Sequence, residues 1–245
     1  MKSSPRKFFL ALVSVLLLSH AATMPALAEP SAKTIDQVKR GVVSIATFDA
    51  HNKPLLLGGG FFVQANRIVT NIHVLKGASH AIIRTFDGHS YSVEGIVALN
   101  ESNDLALLQI AAPANVYPLA LAANVAAEGE RVTLISALDN ASWKVSSGTT
   151  NSLWYIQGAG EYLRITAEVR HGNSGSPIVN DKGEVVAVAA LHIDSTDELS
   201  FAVPGRVLNS LLNLNHGSEP RLIALSRAGE SSRQKIGAAV RAARK

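Results

Sequence analysis

The chain has 245 residues, of which 47% are hydrophobic and 17% are charged. This balance excludes an intrinsically disordered protein and predicts a folded core, in one large domain or two small ones. Cysteine is absent, which excludes disulfides, a thiolate nucleophile and a thiolate metal site.

Residues 1–28 have the pattern of a secretory signal peptide. Three basic residues within the first seven precede an apolar stretch at 8–18, and small residues at Ala26 and Ala28 are typical of a cleavage site. The apolar stretch is shorter than a membrane span, and an uncleaved anchor is the alternative. We expect cleavage after Ala28, and a periplasmic or secreted protein with no integral membrane span.

Charge is distributed unevenly along the chain. The formal net charge of +4 falls to +1 without residues 1–28, and seven basic against two acidic residues at 217–245 leave the body at 29–216 with −4. Because no basic, aromatic-rich face is present, we expect no nucleic-acid partner. The basic tail at 215–245 is predicted to be disordered or to form a weak amphipathic helix.

A short helix is predicted at 34–40, and many short apolar runs separated by turn residues follow it. The first set of predicted strands is 42–47, 60–63, 67–70, 80–85, 91–99 and 105–110. The second set is 131–135, 144–147, 153–156, 162–166, 177–179, 185–190 and 200–203. Segment 111–129 divides the two sets, and 207–214 is typical of a helix. Strands of this length and spacing predict an all-β sandwich or an all-β barrel. Hydrophobic periodicity alone does not distinguish the two folds.

The strongest chemical signal is the segment 172–177, which reads Gly-Asn-Ser-Gly-Ser-Pro. Gly172 tolerates a positive φ, so the chain can turn sharply at Ser174 and point the N–H groups of Gly172 and Ser174 into one pocket. An ordinary loop rich in glycine and serine is the alternative.

His73 and Asp104 are the candidate base and acid. His73 follows a predicted strand in a polar break, and Asp104 directly precedes a fully apolar strand. Alone, each is more often structural: the chain has eight histidines, and an aspartate beside a strand is usually a turn residue. Together with Ser174 they supply what acyl transfer by serine needs, namely a base, an orienting acid and N–H donors for the oxyanion.

These segments resemble those of the HtrA/Deg group of trypsin-like serine proteases. The likeness covers about residues 34–212 and rests on Thr-Asn-Ile-His-Val at 70–74, Asp-Leu-Ala-Leu-Leu at 104–108 and the segment 172–177. It implies an all-β, chymotrypsin-like fold of two six-stranded β-barrels with a short C-terminal helix. The protease domain would span 29–214, with barrels at about 34–115 and about 118–206.

The resemblance also implies roles for individual residues. His73 would be the general base and acid, Asp104 the orienting acid and Ser174 the nucleophile of an endopeptidase acting on exported or unfolded polypeptides. The oxyanion hole would comprise Gly172, Asn173 and Ser174. The substrate strand and primary pocket would be lined by Ala189, Ala190, Leu191, His192 and Ser200. This chemistry needs neither a metal nor an organic cofactor.

Several features depart from the HtrA/Deg pattern. Ser176 replaces a glycine, as in glutamyl endopeptidases of the same fold, but Ala189 stands where those enzymes carry a histidine. Glutamate specificity is therefore not expected, and small or apolar pocket walls favour a small or medium uncharged residue before the cleaved bond. Loop 135–140 lacks the expected glycine and proline, which predicts a different resting activity or regulation. Only 31 residues follow Leu214, so we expect no PDZ domain.

Two other functions remain open from the sequence. A catalytically silent binding or chaperone-like module would be consistent with the altered loop 135–140 and the basic tail. An esterase could use the same triad, although α/β-hydrolase esterases order their triad as serine, acid and histidine. An oligomer is conceivable, but no sequence feature supports one.

Overall fold

The strands of this chain close into two barrels. The structure, a computed structural model, describes residues 30–111, 115–138, 142–193, 199–213 and 223–228. The predicted signal peptide lies outside the described residues, as do most of the predicted tail and residues 139–141.

Each barrel contains six antiparallel strands in the described chain. The first has the strand order β1-β2-β3-β6-β5-β4. Its strands are β1 Val42–Phe48, β2 Pro54–Gln64, β3 Arg67–Asn71, β4 His80–Arg84, β5 Ser90–Asn100 and β6 Leu105–Ile110. The second has the order β10-β11-β12-β9-β8-β7. Its strands are β7 Arg131–Ala137, β8 Trp143–Ile156, β9 Gly160–Ile165, β10 Pro177–Val179, β11 Val185–Ile193 and β12 Leu199–Pro204. The predicted double six-stranded barrel is confirmed.

One long strand replaces two predicted short ones. The separate strands predicted at 144–147 and 153–156 are wrong, because both belong to the 14-residue β8. Gly148 between them is not a turn: a Cβ there would lie 2.2 Å from the amide nitrogen of Ala167, so glycine permits two backbones to approach closely. A register shift between Thr150 and Leu153 absorbs the irregularity within the strand.

Two short helices flank the barrels. The first, α1, spans Ala32–Lys39 and begins where the Ser31 hydroxyl accepts a hydrogen bond from the Thr34 amide at 3.0 Å. The second, α2, spans Gly205–Asn213 and packs against β5 and β6 of the first barrel and against β11 and β12 of the second. Both predicted helices are present with slightly shifted ends. None of the helices in the described chain is long and apolar enough to cross a membrane.

A shared apolar core lies between the barrels and holds side chains of both, among them Phe61 and Phe201. Strand β6 buries both of its faces, because Leu105 and Leu107 enter this shared core while Leu108 fills the interior of the first barrel. A strand buried on both faces reads as a continuous apolar run, which is the pattern seen at 105–108.

The segment between the two barrels bonds to each of them. The amide of Leu119 donates to the carbonyl of Phe62 in β2 at 2.8 Å. The amide of Val185 in β11 donates to the carbonyl of Ala120 at 2.8 Å. The connector therefore contributes to the docking of the barrels instead of merely joining them.

Residues 223–228 return to the first barrel. Ile223 and Ile96 of β5 exchange both backbone hydrogen bonds, each 2.8 Å long. Leu225 is only 4% exposed, within the interior core of this barrel. Leu225–Arg227 form a 3-10 helix, so this part of the predicted tail is folded onto the barrel, and the rest of that prediction falls outside the described chain.

Backbone contact between the barrels occurs at Gly59 in β2. Its amide donates to the carbonyl of Ser174 at 2.8 Å. A Cβ on Gly59 would lie 2.0 Å from the hydroxyl oxygen of Ser176, and a Cβ on Gly175 would lie 2.3 Å from the carbonyl oxygen of Gly59. Glycine at both positions thus lets the strand touch the segment that contains Ser174.

We expect Leu225→Ala to lower the free energy of unfolding by about 2–4 kcal/mol, because it leaves a cavity in the first barrel. Urea denaturation followed by circular dichroism measures the loss. The control is Leu153→Ala, which should cost less than about 1 kcal/mol because Leu153 is 44% exposed. Equal, small losses in the two variants would contradict the packing of residues 223–228.

We expect Gly59→Ala to destabilise the protein by about 1–3 kcal/mol, because the added methyl group overlaps the Ser176 hydroxyl. Thermal unfolding measures the effect in the parent and in a Ser176→Gly background, where the overlapping atom is gone. The substitution at residue 59 should cost clearly less in that background. The same cost in both would refute the steric explanation.

Candidate active site

His73 and Asp104 form a buried pair on the first barrel. His73 lies in a 3-10 turn, Ile72–Leu75, directly after β3, and is 7% exposed. Its ring nitrogen Nδ1 is 2.5 Å from Asp104 Oδ2, and its backbone amide donates to Asp104 Oδ1 at 3.0 Å. A carboxylate facing Nδ1 accepts a hydrogen bond from the Nδ1–H group, which leaves Nε2 as the basic nitrogen of a neutral ring.

Strand pairing explains why two residues 31 positions apart meet. Asn71 at the end of β3 lies opposite Leu105 at the start of β6, so the residues just beyond each strand end are neighbours. Asp104 has the left-handed backbone conformation, with φ 57°, and is 2% exposed. Its carbonyl accepts from the Asn71 side-chain amide at 2.9 Å and from the Ile72 amide at 3.1 Å. These bonds hold a conformation that is unfavourable for most residues.

Ser174 lies on the second barrel in the serine loop, which we define as residues 170–176. Gly172 and Gly175 have φ of 89° and 87°, so both sharp bends use glycine. Asn173 is 1% exposed and holds the loop closed: its Oδ1 accepts from the Arg170 amide at 2.8 Å, and its amide donates to the Arg170 carbonyl at 3.0 Å.

The predicted oxyanion donors are unengaged. The amides of Gly172 and Ser174 donate no hydrogen bond to any residue that the structure describes. Donors of this kind, fixed by a rigid turn and left unpaired by the protein, suit a developing negative charge. Asn173 differs from them, because its amide is used inside the loop.

His73 and Ser174 line one cavity of about 340 Å³, but no hydrogen bond joins them. The Ser174 hydroxyl donates to the carbonyl of Ala190 at 3.3 Å. Nε2 of His73 is buried and has no hydrogen-bond partner within the described part of the chain. Catalytic hydrogen bonds are often long or misaligned until substrate binds, so the arrangement is compatible with a base beside a nucleophile.

Sequence reasoning missed five residues that line the same cavity, namely Leu55, Leu56, Leu57, Val74 and His171. The leucines are 38%, 45% and 38% exposed, which is unusual for three consecutive large apolar residues. Their position directly before the glycine run at 58–60 was the only available signal, since exposure cannot be read from an apolar stretch in a strand.

The predicted substrate-binding residues separate into two groups. Ala189 has both backbone groups engaged, because its amide donates to the Ser176 carbonyl at 2.9 Å and its carbonyl accepts from the Gly175 amide at 2.8 Å. It supports the serine loop, and pairing of a substrate strand at this residue is not expected. The register of β11 shifts between Ala189 and Leu191, so Ala190 stands at an irregularity and its carbonyl reaches Ser174.

The other predicted residues occupy the β11–β12 ladder. Leu191 lies opposite Phe201 and is 5% exposed, and the backbone of His192 lies opposite Ser200. Ser200 is 2% exposed, and its hydroxyl accepts from the amide of Val169 at 3.2 Å. Ser200 therefore braces the chain that leads into the serine loop.

Glu168 is the strongly perturbed acid near this loop. Lys144 donates to Glu168 Oε2 at 2.9 Å, and Arg170 donates to Oε1. Hydrogen bonds from Lys144 and then Arg170 lower the pKa of Glu168 to about 2. The carboxylate is thus ionised and paired with two cations. In the described residues, no cluster of three or more histidine and acidic side chains is placed to hold a metal ion.

A family model described as the trypsin-like peptidase domain matches residues 58–188. The mitochondrial serine protease HTRA2 of Bos taurus is 31% identical over 176 residues, which cover 68% of this chain and 38% of that protein. Anti-sigma-I factor RsgI9 of Acetivibrio thermocellus is 29% identical over 180 residues, which cover 73% of this chain and 25% of that protein. The chain thus spans less than half the length of these relatives.

A solved structure shares the fold. The crystal structure of the Rv3671c protease from M. tuberculosis, in its active form, superposes with a TM-score of 0.68 at 19% identity, covering 83% of this chain and 94% of that one. The family match includes His73, Asp104 and Ser174 and takes in more than half of the sequence. The chain therefore belongs to the trypsin-like peptidase domain family, and its resemblance to the HtrA group of serine proteases is confirmed.

Proposed function

We propose that this protein is a serine endopeptidase with Ser174 as nucleophile, His73 as general base and acid, and Asp104 as the acid that orients His73. The observation that carries the proposal is the buried 2.5 Å contact between His73 and Asp104, on a cavity that Ser174 also lines. A neutral imidazole held in this way keeps Nε2 free to accept the hydroxyl proton.

The reaction proceeds through an acyl-enzyme. Ser174 Oγ attacks the carbonyl carbon of the peptide bond as its proton passes to His73 Nε2. The amides of Gly172 and Ser174 bind the resulting oxyanion. Collapse breaks the C–N bond, and His73 returns the proton to the leaving amine. Water then attacks the ester as it gives a proton to His73, and His73 returns that proton to Ser174 Oγ as the ester bond breaks and the carboxylic acid product leaves.

Polypeptides are the proposed substrates, in keeping with relatives that are named serine proteases. The signal-peptide pattern at residues 1–28 supports action in the periplasm or outside the cell, on exported or unfolded proteins. The exposed leucines at 55–57 beside Ser174 would bind apolar side chains, which unfolded chains expose.

A catalytically silent binding module is the second candidate. One relative with 29% identity is named an anti-sigma factor, and the Ser174 hydroxyl bonds to Ala190 instead of His73. In this alternative the cleft would bind a polypeptide without cutting it.

We expect Ser174→Ala, His73→Ala and Asp104→Asn each to lower the rate of casein cleavage by at least about a thousandfold, because each removes a member of the proton-transfer chain. Ser174→Ala should also abolish labelling by a fluorophosphonate. The matched controls are Ser147→Ala and His80→Ala, whose side chains lie away from the cavity. Binding of unfolded casein by an unlabelled, inactive parent would favour the silent module.

We expect Lys144→Ala to raise the pKa of Glu168 from about 2 toward its ordinary value near 4.5, since Lys144 is the largest cause of the shift. Because folding lowers this pKa, the contribution of Glu168 to stability is present above about pH 4.5 and is lost as pH falls through about 2. Carbon-13 NMR titration of the Glu168 carboxyl measures this pKa. The control is Lys182→Ala, which should leave the pKa of Glu168 unchanged because Lys182 is not among the causes of the shift. A parent Glu168 that titrates near 4.5 would contradict the ion-paired assignment.

A further inference from the structure

Ser176 stands where the HtrA/Deg group has a glycine, and its hydroxyl is fully buried. It donates to the hydroxyl oxygen of Ser136 at 2.8 Å, and both residues are 0% exposed. If the register that sets Ile178 of β10 opposite Leu134 of β7 is extended by two residues, Ser176 falls opposite Ser136. The side-chain bond therefore continues the β7–β10 pairing two residues beyond the last backbone pair, up to the serine loop.

The backbone of Ser176 is held at the same time. Its amide donates to the Asn173 carbonyl at 3.0 Å, and its carbonyl accepts from the Ala189 amide at 2.9 Å. Its hydroxyl occupies the space that a side chain on Gly59 would need. Residue 176 thus contacts the first barrel, β7, β11 and the interior of the serine loop together.

Only Gly175 separates Ser176 from Ser174. Gly175 has a φ of 87°, and its amide donates to the Ala189 carbonyl at 2.8 Å. Because the chain turns sharply here, fixing Ser176 on one side of Gly175 helps to fix the direction of the Ser174 amide and hydroxyl on the other side. Donors that must meet an oxyanion affect the transition state more than they affect substrate binding.

We propose that Ser136 and Ser176 are positioning residues, whose mutual hydrogen bond orients Ser174 for attack. This inference rests on the proposed endopeptidase function. Ser136 reaches neither the cavity nor the reacting atoms and acts only through Ser176. A purely structural bond would support stability alone, whereas a positioning bond supports the rate of acylation in the folded enzyme.

The experiment compares Ser136→Ala, Ser176→Ala and the double variant with the parent. Values of kcat and KM are measured on a fluorogenic peptide, per active site counted by fluorophosphonate titration. We expect kcat to fall about 5- to 20-fold in each single variant with KM within about twofold, and the double variant to fall no further. The control Ser44→Ala removes a buried serine hydroxyl in β1 and should leave kcat unchanged.

The outcomes separate the two proposals. A labelled parent with unchanged kcat in both single variants overturns the positioning role alone. Independent, multiplicative losses in the double variant also overturn it, because the residues would then not act through one bond. An unlabelled parent overturns the endopeptidase function and the positioning role together.

Discussion

The hydrogen bond from the Gly59 amide to the Ser174 carbonyl sets the relation between the two barrels at the candidate site. His73 and Asp104 belong to the first barrel and Ser174 to the second. A shift of one barrel against the other would therefore separate Ser174 from the other two side chains. The shared apolar core brings the barrels together without direction, because hydrophobic burial is non-directional. Backbone hydrogen bonds supply the direction, namely the bond at Gly59 and those that join the connector to Phe62 and Val185.

The left-handed conformation of Asp104 illustrates how the first barrel holds its share of the site. An aspartate accepts that conformation at a cost of roughly 1–2 kcal/mol. The bonds from Asn71 and Ile72 to its carbonyl and from His73 to its carboxylate offset the cost. Asp104 thus lies where the end of β3 is next to the start of β6. Its left-handed backbone is part of the geometry that orients the imidazole of His73.

Much of this was predictable because it depends on local chemistry. Glycines at 172 and 175 and an acid before the apolar strand at 105–110 are visible in the sequence, and the structure puts those residues at bends and strand ends. Three features were not predictable. Segments 144–147 and 153–156 read as two strands, although Gly148 admits Ala167 and one strand runs through both; residues 223–228 read as tail, although Leu225 completes a core; and the leucines at 55–57 were not identified as lining the cavity. Each depends on a partner distant in sequence, which a local pattern does not contain.

Strand β11 bonds to the serine loop at Ala189 and Ala190. Ala189 gives both backbone groups to the loop, and the irregularity at Ala190 then turns the next carbonyl toward the Ser174 hydroxyl. A polypeptide that paired with β11 would therefore bond beyond Ala189, next to the carbonyl that accepts from the Ser174 hydroxyl. Pairing that drew on this carbonyl would release the hydroxyl toward Nε2 of His73, which has no hydrogen-bond partner among the described residues. Pairing of a polypeptide and alignment of Ser174 with His73 would then be a single event.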